Sequence, residues 1–225
     1  MPPPFFTDIP EQREDRWAAL AKFFDYWHGV VDAERGYPGA SIALVQTAVN
    51  HELPSALREW MTSFGIISAG LCQRARFVPP AEMRDSDGVL ILRTESVFNG
   101  LTSVSWGVLI ADLDRDDPPV VSLMVGNAPK IWADRLSDFI VYCAAFDTCN
   151  SWHTKEMDAD NDFAFPSNGR RLQFPDHFGI IKTRMYEGDD WIAMVSGTDW
   201  YLRMKRNREP DAFVKHELRT NQAGG

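Results

Sequence analysis

The stretch from Leu92 to Val121 constrains the fold of this chain more than any other. It reads as a strand that ends at Glu95, a turn at Asn99-Gly100, and a second strand from Val104 to Leu113. Asn-Gly between two apolar runs is a strong hairpin signal, because both central residues of a type I′ turn need a positive φ. The near-continuous apolar second strand indicates burial on both faces. An acidic loop closed by Pro118-Pro119 follows it.

The composition indicates a folded acidic protein. The chain has 225 residues, of which 44% are hydrophobic, and its formal net charge is -9. Nucleic acid is not expected as a partner, because phosphate backbones are bound by Lys and Arg. No apolar run is long enough for a membrane span, and the N-terminus lacks the pattern of a signal peptide. Three cysteines without CxxC spacing favour a reducing, cytoplasmic location; they are Cys72, Cys143 and Cys149.

Hydrophobic periodicity predicts helices first and strands afterwards, without βαβ alternation. The predicted helices cover residues 11–28, 40–49, 54–64 (with Gly65 as a stop), 133–149 and 209–218. The predicted strands cover residues 89–94, 104–113 and 120–125, and a hairpin covers 191–204. Residues 65–87 and 150–188 read as irregular. This order predicts an α+β fold with a twisted, mainly antiparallel sheet packed by helices. We expect an extended arm over 1–10 and one domain over 11–225, with its core at about 40–150 and a C-terminal extension.

The familiar catalytic and metal-binding motifs are incomplete. His51-Glu52 starts like HExxH but lacks the second histidine. The acidic runs at 112–117 and 158–162 imitate an EF-hand loop but lack its glycine and its final glutamate. GxSxG, Walker A and GxGxxG do not occur. We therefore expect no metal, no cofactor and no enzymatic activity, and a small-molecule ligand is not expected. Trp106 is interpreted as a core residue rather than the lining of a ligand groove.

Five carboxylates around the predicted hairpin are the remaining candidates for a catalytic or partner-binding site. They are Glu95, Asp112, Asp114, Asp116 and Asp117. If the ends of the two strands lie together, these groups could act as a hydrolytic pair, which requires a defined separation across a cleft. The alternative interpretation is a rigid acidic surface that opposes a basic patch on a partner.

Several short motifs resemble the SMI1/KNR4 family, also called the SUKH superfamily. The motifs are Leu53-Pro54-x-x-Leu57-x-x-Trp60, Phe77-Val78-Pro79-Pro80-Ala81-Glu82-Met83, Glu95, Trp106-Gly107-Val108, Asp112-Leu113, Asp116-Asp117-Pro118-Pro119-Val120, and Trp132 followed by Leu136-Ser137-Asp138-Phe139. They cover roughly residues 40–150. One departure is Glu95-Ser96-Val97, where family members often carry Glu-Asn-Gln.

The resemblance implies a SUKH-like fold and, for bacterial members, an immunity protein that binds and neutralises a cognate polymorphic toxin. Many such toxins are nucleases with basic surfaces, which an acidic inhibitor can cover. The residues expected to contact the partner are Glu95, Phe98, Asn99, Asp112, Asp114, Asp116 and Asp117. A regulatory or scaffold protein with several partners, as eukaryotic members suggest, is the first alternative. A carboxylate-dependent hydrolase is the second.

Overall fold

The computed structural model describes most of the N-terminal two thirds of the chain and the central strands of the remainder. The described residues are 5–6, 8–29, 35–71, 75–97, 102–124, 126–150, 155–158, 169–172, 177–178, 181–196 and 199–204. Phe98 and Asn99 lie outside these ranges, as does the helix predicted over 209–218.

The chain divides into two compact units. One, the larger unit, is formed by Pro10–Ala144, and the other, the smaller unit, by Met1–Ile9 with Ala145–Gly225. Phe5 and Phe6, in the expected N-terminal arm, are both buried. The expected division into an arm over 1–10 and one domain over 11–225 stays a prediction.

The helices of the described part follow the hydrophobic periodicity closely. They are α1 Arg13–His28, α2 Gly39–Val49, α3 Ser55–Gly70 and α4 Leu136–Cys149. None of these helices has the length and apolar character that crossing a bilayer requires. The expectation that Gly65 ends α3 is wrong. A Cβ at Gly65 would lie 2.4 Å from a ring carbon of Tyr37, so the glycine permits close packing and the helix continues.

The larger unit contains an antiparallel sheet. Its strands are β1 Ala75–Phe77, β2 Asp85–Ser86, β3 Val89–Val97, β4 Thr102–Leu109, β5 Val120–Met124 and β6 Lys130–Ala133. Their order is β1-β3-β4-β5-β6, and β2 pairs with β3. The pairing of Val97 with Thr102 confirms the hairpin between β3 and β4. The α+β class and the antiparallel sheet are thereby confirmed.

The inner face of this sheet carries the core of the larger unit. Trp106 on β4 is fully buried, as expected, and its ring centroid lies 6.4 Å from that of Phe139 on α4. Trp60 on α3 packs at 4.7 Å from Phe77 on β1. The expected burial of both faces of β4 is only partly correct, because Ser105 on the outer face is half-buried.

Two boundaries in this region differ from the prediction. β4 ends at Leu109, where a 3₁₀ turn over Ile110–Asp112 begins, although the apolar run continues to Leu113. The sequence predicted a helix from about residue 133, but Lys130–Ala133 forms the edge strand β6. The helix α4 starts after it at Leu136, because the main chain of β6 pairs with β5.

The smaller unit contains a second antiparallel sheet. Its strands are β7 Lys155–Asp158, β8 Arg170–Arg171, β9 His177–Phe178, β10 Ile181–Glu187, β11 Trp191–Ser196 and β12 Asp199–Met204. Their order is β7-β12-β11-β10-β8, and β9 pairs with β10. The hairpin of β11 and β12 confirms the prediction over 191–204. Reading 150–188 as irregular was wrong for the residues that the structure describes there, because β7 and β10 pair with the strands of this hairpin.

Candidate functional site

The acidic loop between β4 and β5 caps the N-terminus of α3. The N–H of Ala56 donates to the main-chain carbonyl of Asp116 at 3.0 Å. The hydroxyl of Ser55 donates to the Asp116 carboxylate at 2.7 Å. The first amides of a helix have no partner within the helix, and a negative charge there interacts favourably with the helix dipole. Asp116 therefore stabilises α3, although its side chain is exposed.

Asp117, the next residue, caps the N-terminus of α4. Asp117 accepts hydrogen bonds from the N–H of Ser137 at 2.9 Å and from its hydroxyl at 2.5 Å. It also accepts one from the Arg16 guanidinium at 3.1 Å, and its side chain is only 13% exposed. Two consecutive aspartates thus cap two different helices, and Pro118 and Pro119, both buried, continue the loop into β5.

Arg16 on α1 is the centre of this network. Its guanidinium is 2% exposed and donates to the carbonyls of Pro10 and Glu11, both at 2.7 Å. It also donates to the Ser137 hydroxyl at 2.8 Å and lies 3.4 Å from a carboxylate oxygen of Asp138. A buried arginine needs such a set of acceptors, because an unpaired charge in the interior is strongly destabilising.

These contacts change the interpretation of the expected partner-binding residues. Asp117 is occupied within the fold, and Asp116 is partly so. Asp112 is 24% exposed and lies 3.4 Å from the guanidinium of Arg115. Asp114 is exposed. Of the aspartates in the loop, Asp114 is the one most available to a partner.

Glu95 lies far from the acidic loop. It is half-buried on β3 and pairs with Val104 of β4, whereas the loop begins beyond Leu109, which pairs with Val89. From Val104 to Leu109 an extended strand covers about 17 Å at 3.3 Å per residue. The two carboxylates of a glycosidase are separated by about 5–9.5 Å. Glu95 and the loop aspartates therefore do not lie at related ends of the sheet, which is the condition on which the hydrolytic pair depended.

Among the residues that the structure describes, no three side chains of His, Cys, Asp or Glu are grouped in a way that could hold a metal ion. The run 112–117 lies within those residues; Asp116 is directed to α3, Asp117 to α4 and Asp112 to Arg115, and Asp114 is exposed.

The outer face of the larger unit's sheet carries a groove that the sequence did not indicate. Its volume is about 500 Å³. Residues from β1, β3, β4 and β5 form its floor, and the residues that surround β2 and the turn after β5 form its sides. The lining residues are Arg76, Val78, Glu82, Arg84, Ser86, Asp87, Ile91, Thr94, Ser105, Leu123, Met124, Gly126 and Asn127. Thr94 and Ser105 in otherwise apolar strands are the signal that could have indicated a solvated face.

The smaller unit contains a buried carboxylate. Glu187 at the end of β10 is 1% exposed, and it accepts hydrogen bonds from the N–H groups of Phe5 at 3.1 Å and Phe6 at 3.4 Å. Burial raises the pKa of Glu187 to about 7, although the two N–H groups and the charge of Arg170 act in the opposite direction. Burial likewise raises the pKa of the Cys149 thiol. Glu187 lies in the region that was read as irregular.

Comparison of the chain with models of protein families, with curated proteins and with solved structures gives no match.

Proposed function

We propose that this chain is an immunity protein that binds and neutralises a cognate polymorphic toxin, for example a nuclease with a basic surface. One observation carries the proposal. The motifs that resemble the SMI1/KNR4 family lie on one connected frame of the larger unit, in which the Asp116-Asp117 loop joins α3 to α4. The WGV motif lies on the central strand β4 of the same unit. The resembling residues thus have structural roles that depend on one another.

The surface proposed to bind the toxin is the acidic edge, defined here as Glu52, Asp114 and Asp116. All three side chains are exposed, and Glu52 reaches 82%, although it also forms an ion pair of 3.5 Å with Arg58. Asp116 contacts Ser55, three residues after Glu52, so these two carboxylates lie at the same end of α3. Exposed carboxylates on an ordered loop can oppose lysines and arginines of a nuclease and accelerate the encounter. The proposal places the complex in the cytoplasm.

The test is co-expression with toxin domains encoded next to the gene of this chain. We expect growth to be rescued and a one-to-one complex to co-purify. Replacing Glu52→Gln and Asp114→Asn together should weaken the complex. The matched control is Glu82→Gln with Asp87→Asn, which removes two exposed charges from the lining of the groove and leaves the acidic edge unchanged. If every adjacent toxin stays lethal and none co-purifies, the proposal is wrong. If both double variants weaken binding equally, the acidic edge is not the interface.

A regulatory or scaffold protein with several partners is the second candidate. The observation that favours it is the groove on the outer sheet face, which shares no residue with the acidic edge. Two separate surfaces on one unit suit a protein with more than one partner. This candidate predicts that the chain does not rescue growth from a toxin. It also predicts that some partners lose binding when the acidic edge is altered and others when the groove is altered.

A further inference from the structure

The groove is built across four neighbouring strands. Arg76, Thr94, Ser105 and Leu123 pair in succession from β1 to β5. Directly paired residues point to the same face of a sheet, so these four side chains form one row. Neighbouring strands lie about 4.8 Å apart, so the row is about 14 Å long, which matches about four residues of an extended chain.

The floor combines aliphatic and hydroxyl side chains. Ile91 and Leu123 are half-buried and supply apolar surface. Thr94 and Ser105 supply hydroxyls, which can both donate to and accept from a peptide main chain. Ligand pockets are commonly apolar with a few polar groups that fix orientation, and their volumes are about 300–1,000 Å³. The floor therefore suits an extended segment with one aliphatic side chain directed toward it.

The charged residues at the sides of the groove indicate which charged group a bound segment would carry. Arg76 is 56% exposed and pairs with Glu82 at 3.2 Å. Arg84 is exposed and makes no ion pair with another residue in the described part of the chain. An occupant that covers this guanidinium must bring an acceptor, because removing an unpaired charge from water is unfavourable. A carboxylate is the best acceptor, since it can bind a guanidinium in a bidentate manner.

The acidic groups of the lining do not reverse this preference. Glu82 is already paired with Arg76. Asp87 lies at the tip of the turn between β2 and β3, where its φ is 53°. It makes no ion pair with Arg84 among the described residues, so the Arg84 guanidinium stays available to a carboxylate of the occupant.

We propose that this groove binds a short extended peptide segment of a protein partner, with an aliphatic side chain over Ile91 and Leu123 and a carboxylate on Arg84. The segment runs across the strands and forms hydrogen bonds with Thr94 and Ser105. The acidic edge takes no part in this contact, so the proposal does not depend on a toxin as the partner.

The experiment is an NMR titration of the full chain with the capped peptide acetyl-Ala-Leu-Val-Glu-Ala-amide. We expect the amide signals of Thr94, Ser105 and Leu123 to shift. A matched peptide with Lys in place of Glu should bind at least about tenfold more weakly, because it lacks the charge-assisted hydrogen bond. Sodium acetate at equal concentration should leave these signals in place.

Two protein variants complete the test. Arg84→Glu should weaken binding of the Glu peptide by about tenfold or more, whereas Arg58→Glu, the same charge reversal on α3 outside the groove, should change it by less than about twofold. Thermal melting should show that both variants fold, since both side chains are exposed. Shifts elsewhere on the chain, equal binding of the Lys peptide, or unchanged binding by Arg84→Glu would overturn the proposal. Equal shifts with acetate would overturn it in favour of a site for small carboxylates.

Discussion

At the scale of the residue, buried charges in this chain are held by specific partners. Arg16 joins α1 to the start of α4 and to the acidic loop through Ser137 and Asp117. Arg93 on β3 is fully buried, and its guanidinium carbon lies 5.0 Å from the centre of the Phe77 ring. The burial of these arginines could not be predicted from the sequence. Their partners are distant along the chain, and the spacing of neighbouring residues does not indicate which groups come into contact.

Arg16→Met should lower the free energy of unfolding by about 3–5 kcal/mol, because it leaves the carboxylates of Asp117 and Asp138 without their buried partner. The measurement is urea unfolding followed by tryptophan fluorescence. The control is Arg58→Met, since Arg58 is 45% exposed and its ion pair with Glu52 is 3.5 Å long. That change should stay within about 0.5 kcal/mol. Equal effects of the two substitutions would show that the Arg16 network does not stabilise the fold.

Gly107 in the WGV motif is constrained by the approach of the neighbouring strand. A Cβ there would lie 2.2 Å from the carbonyl oxygen of Leu90. Gly107→Ala should therefore destabilise the chain by about 1–3 kcal/mol or more, since the main chain of β3 must move. Gly70→Ala is the control, because no atom lies within 4 Å of a Cβ at that position. Thermal melts of the two variants should differ clearly, and similar melting temperatures would contradict the clash.

Glu187 gives the smaller unit a dependence on pH. Its pKa rises from 4.5 to about 7 on folding. The folded state therefore favours the protonated form, and the contribution to stability is fully present below pH 4.5. It is lost as the pH rises through 7 and amounts to about 3 kcal/mol. Unfolding in urea at pH 5 and pH 8 should show a smaller difference for Glu187→Gln than for the natural chain. An identical difference would mean that Glu187 does not titrate in this range.

At the scale of the element, the positions of the four described helices were predictable, whereas the end of α3, the start of α4 and the sheet edges were not. In α1 and α2 apolar residues recur at spacings of three and four, which places them on one face of the helix. β6 has only four residues, two of them exposed and none buried, so its sequence carries no strand pattern. It is a strand because β5 offers it hydrogen bonds, which is a tertiary effect.

The same limit applies to the candidate sites. The acidic loop was recognisable from its composition, but the roles of its residues depend on where α3 and α4 begin relative to it. The groove was not recognisable, because Arg76 and Leu123 are far apart in sequence and lie in one row only through the register of four strands. The distance of Glu95 from the acidic loop follows from the same register and was not predictable either.

Asp117→Ala should lower the free energy of unfolding by about 1–3 kcal/mol, because it removes the cap of α4 and leaves buried Arg16 short of an acceptor. Asp114→Ala is the matched control, since it removes the same charge from an exposed position of the same loop. Its effect should stay within about 0.5 kcal/mol. Guanidinium unfolding of both variants tests the difference. If Asp114→Ala is equally destabilising, the loop is held by something other than its helix contacts.

At the scale of the whole molecule, the net charge of -9 determines how the chain meets a basic partner. If the proposed toxin binds the acidic edge, the association rate should fall by about tenfold or more from low to high ionic strength, because salt screens the steering field. Stopped-flow mixing measures this rate. The variant with Glu52→Gln and Asp114→Asn should show a weaker dependence on salt than the one with Glu82→Gln and Asp87→Asn. If the association rates of both variants depend equally on salt, the rate is determined by the total charge of the chain and not by the acidic edge.

The capping role of Asp116 and Asp117 has a consequence for the thermodynamics of recognition. A loop whose main chain and carboxylates are bound to two helices is already ordered before any partner arrives. Ordering a free loop requires about 1–2 kcal/mol for each residue whose backbone becomes fixed. A protein that contacts Asp114 would avoid this entropic penalty, and its affinity would depend mainly on the contacts themselves.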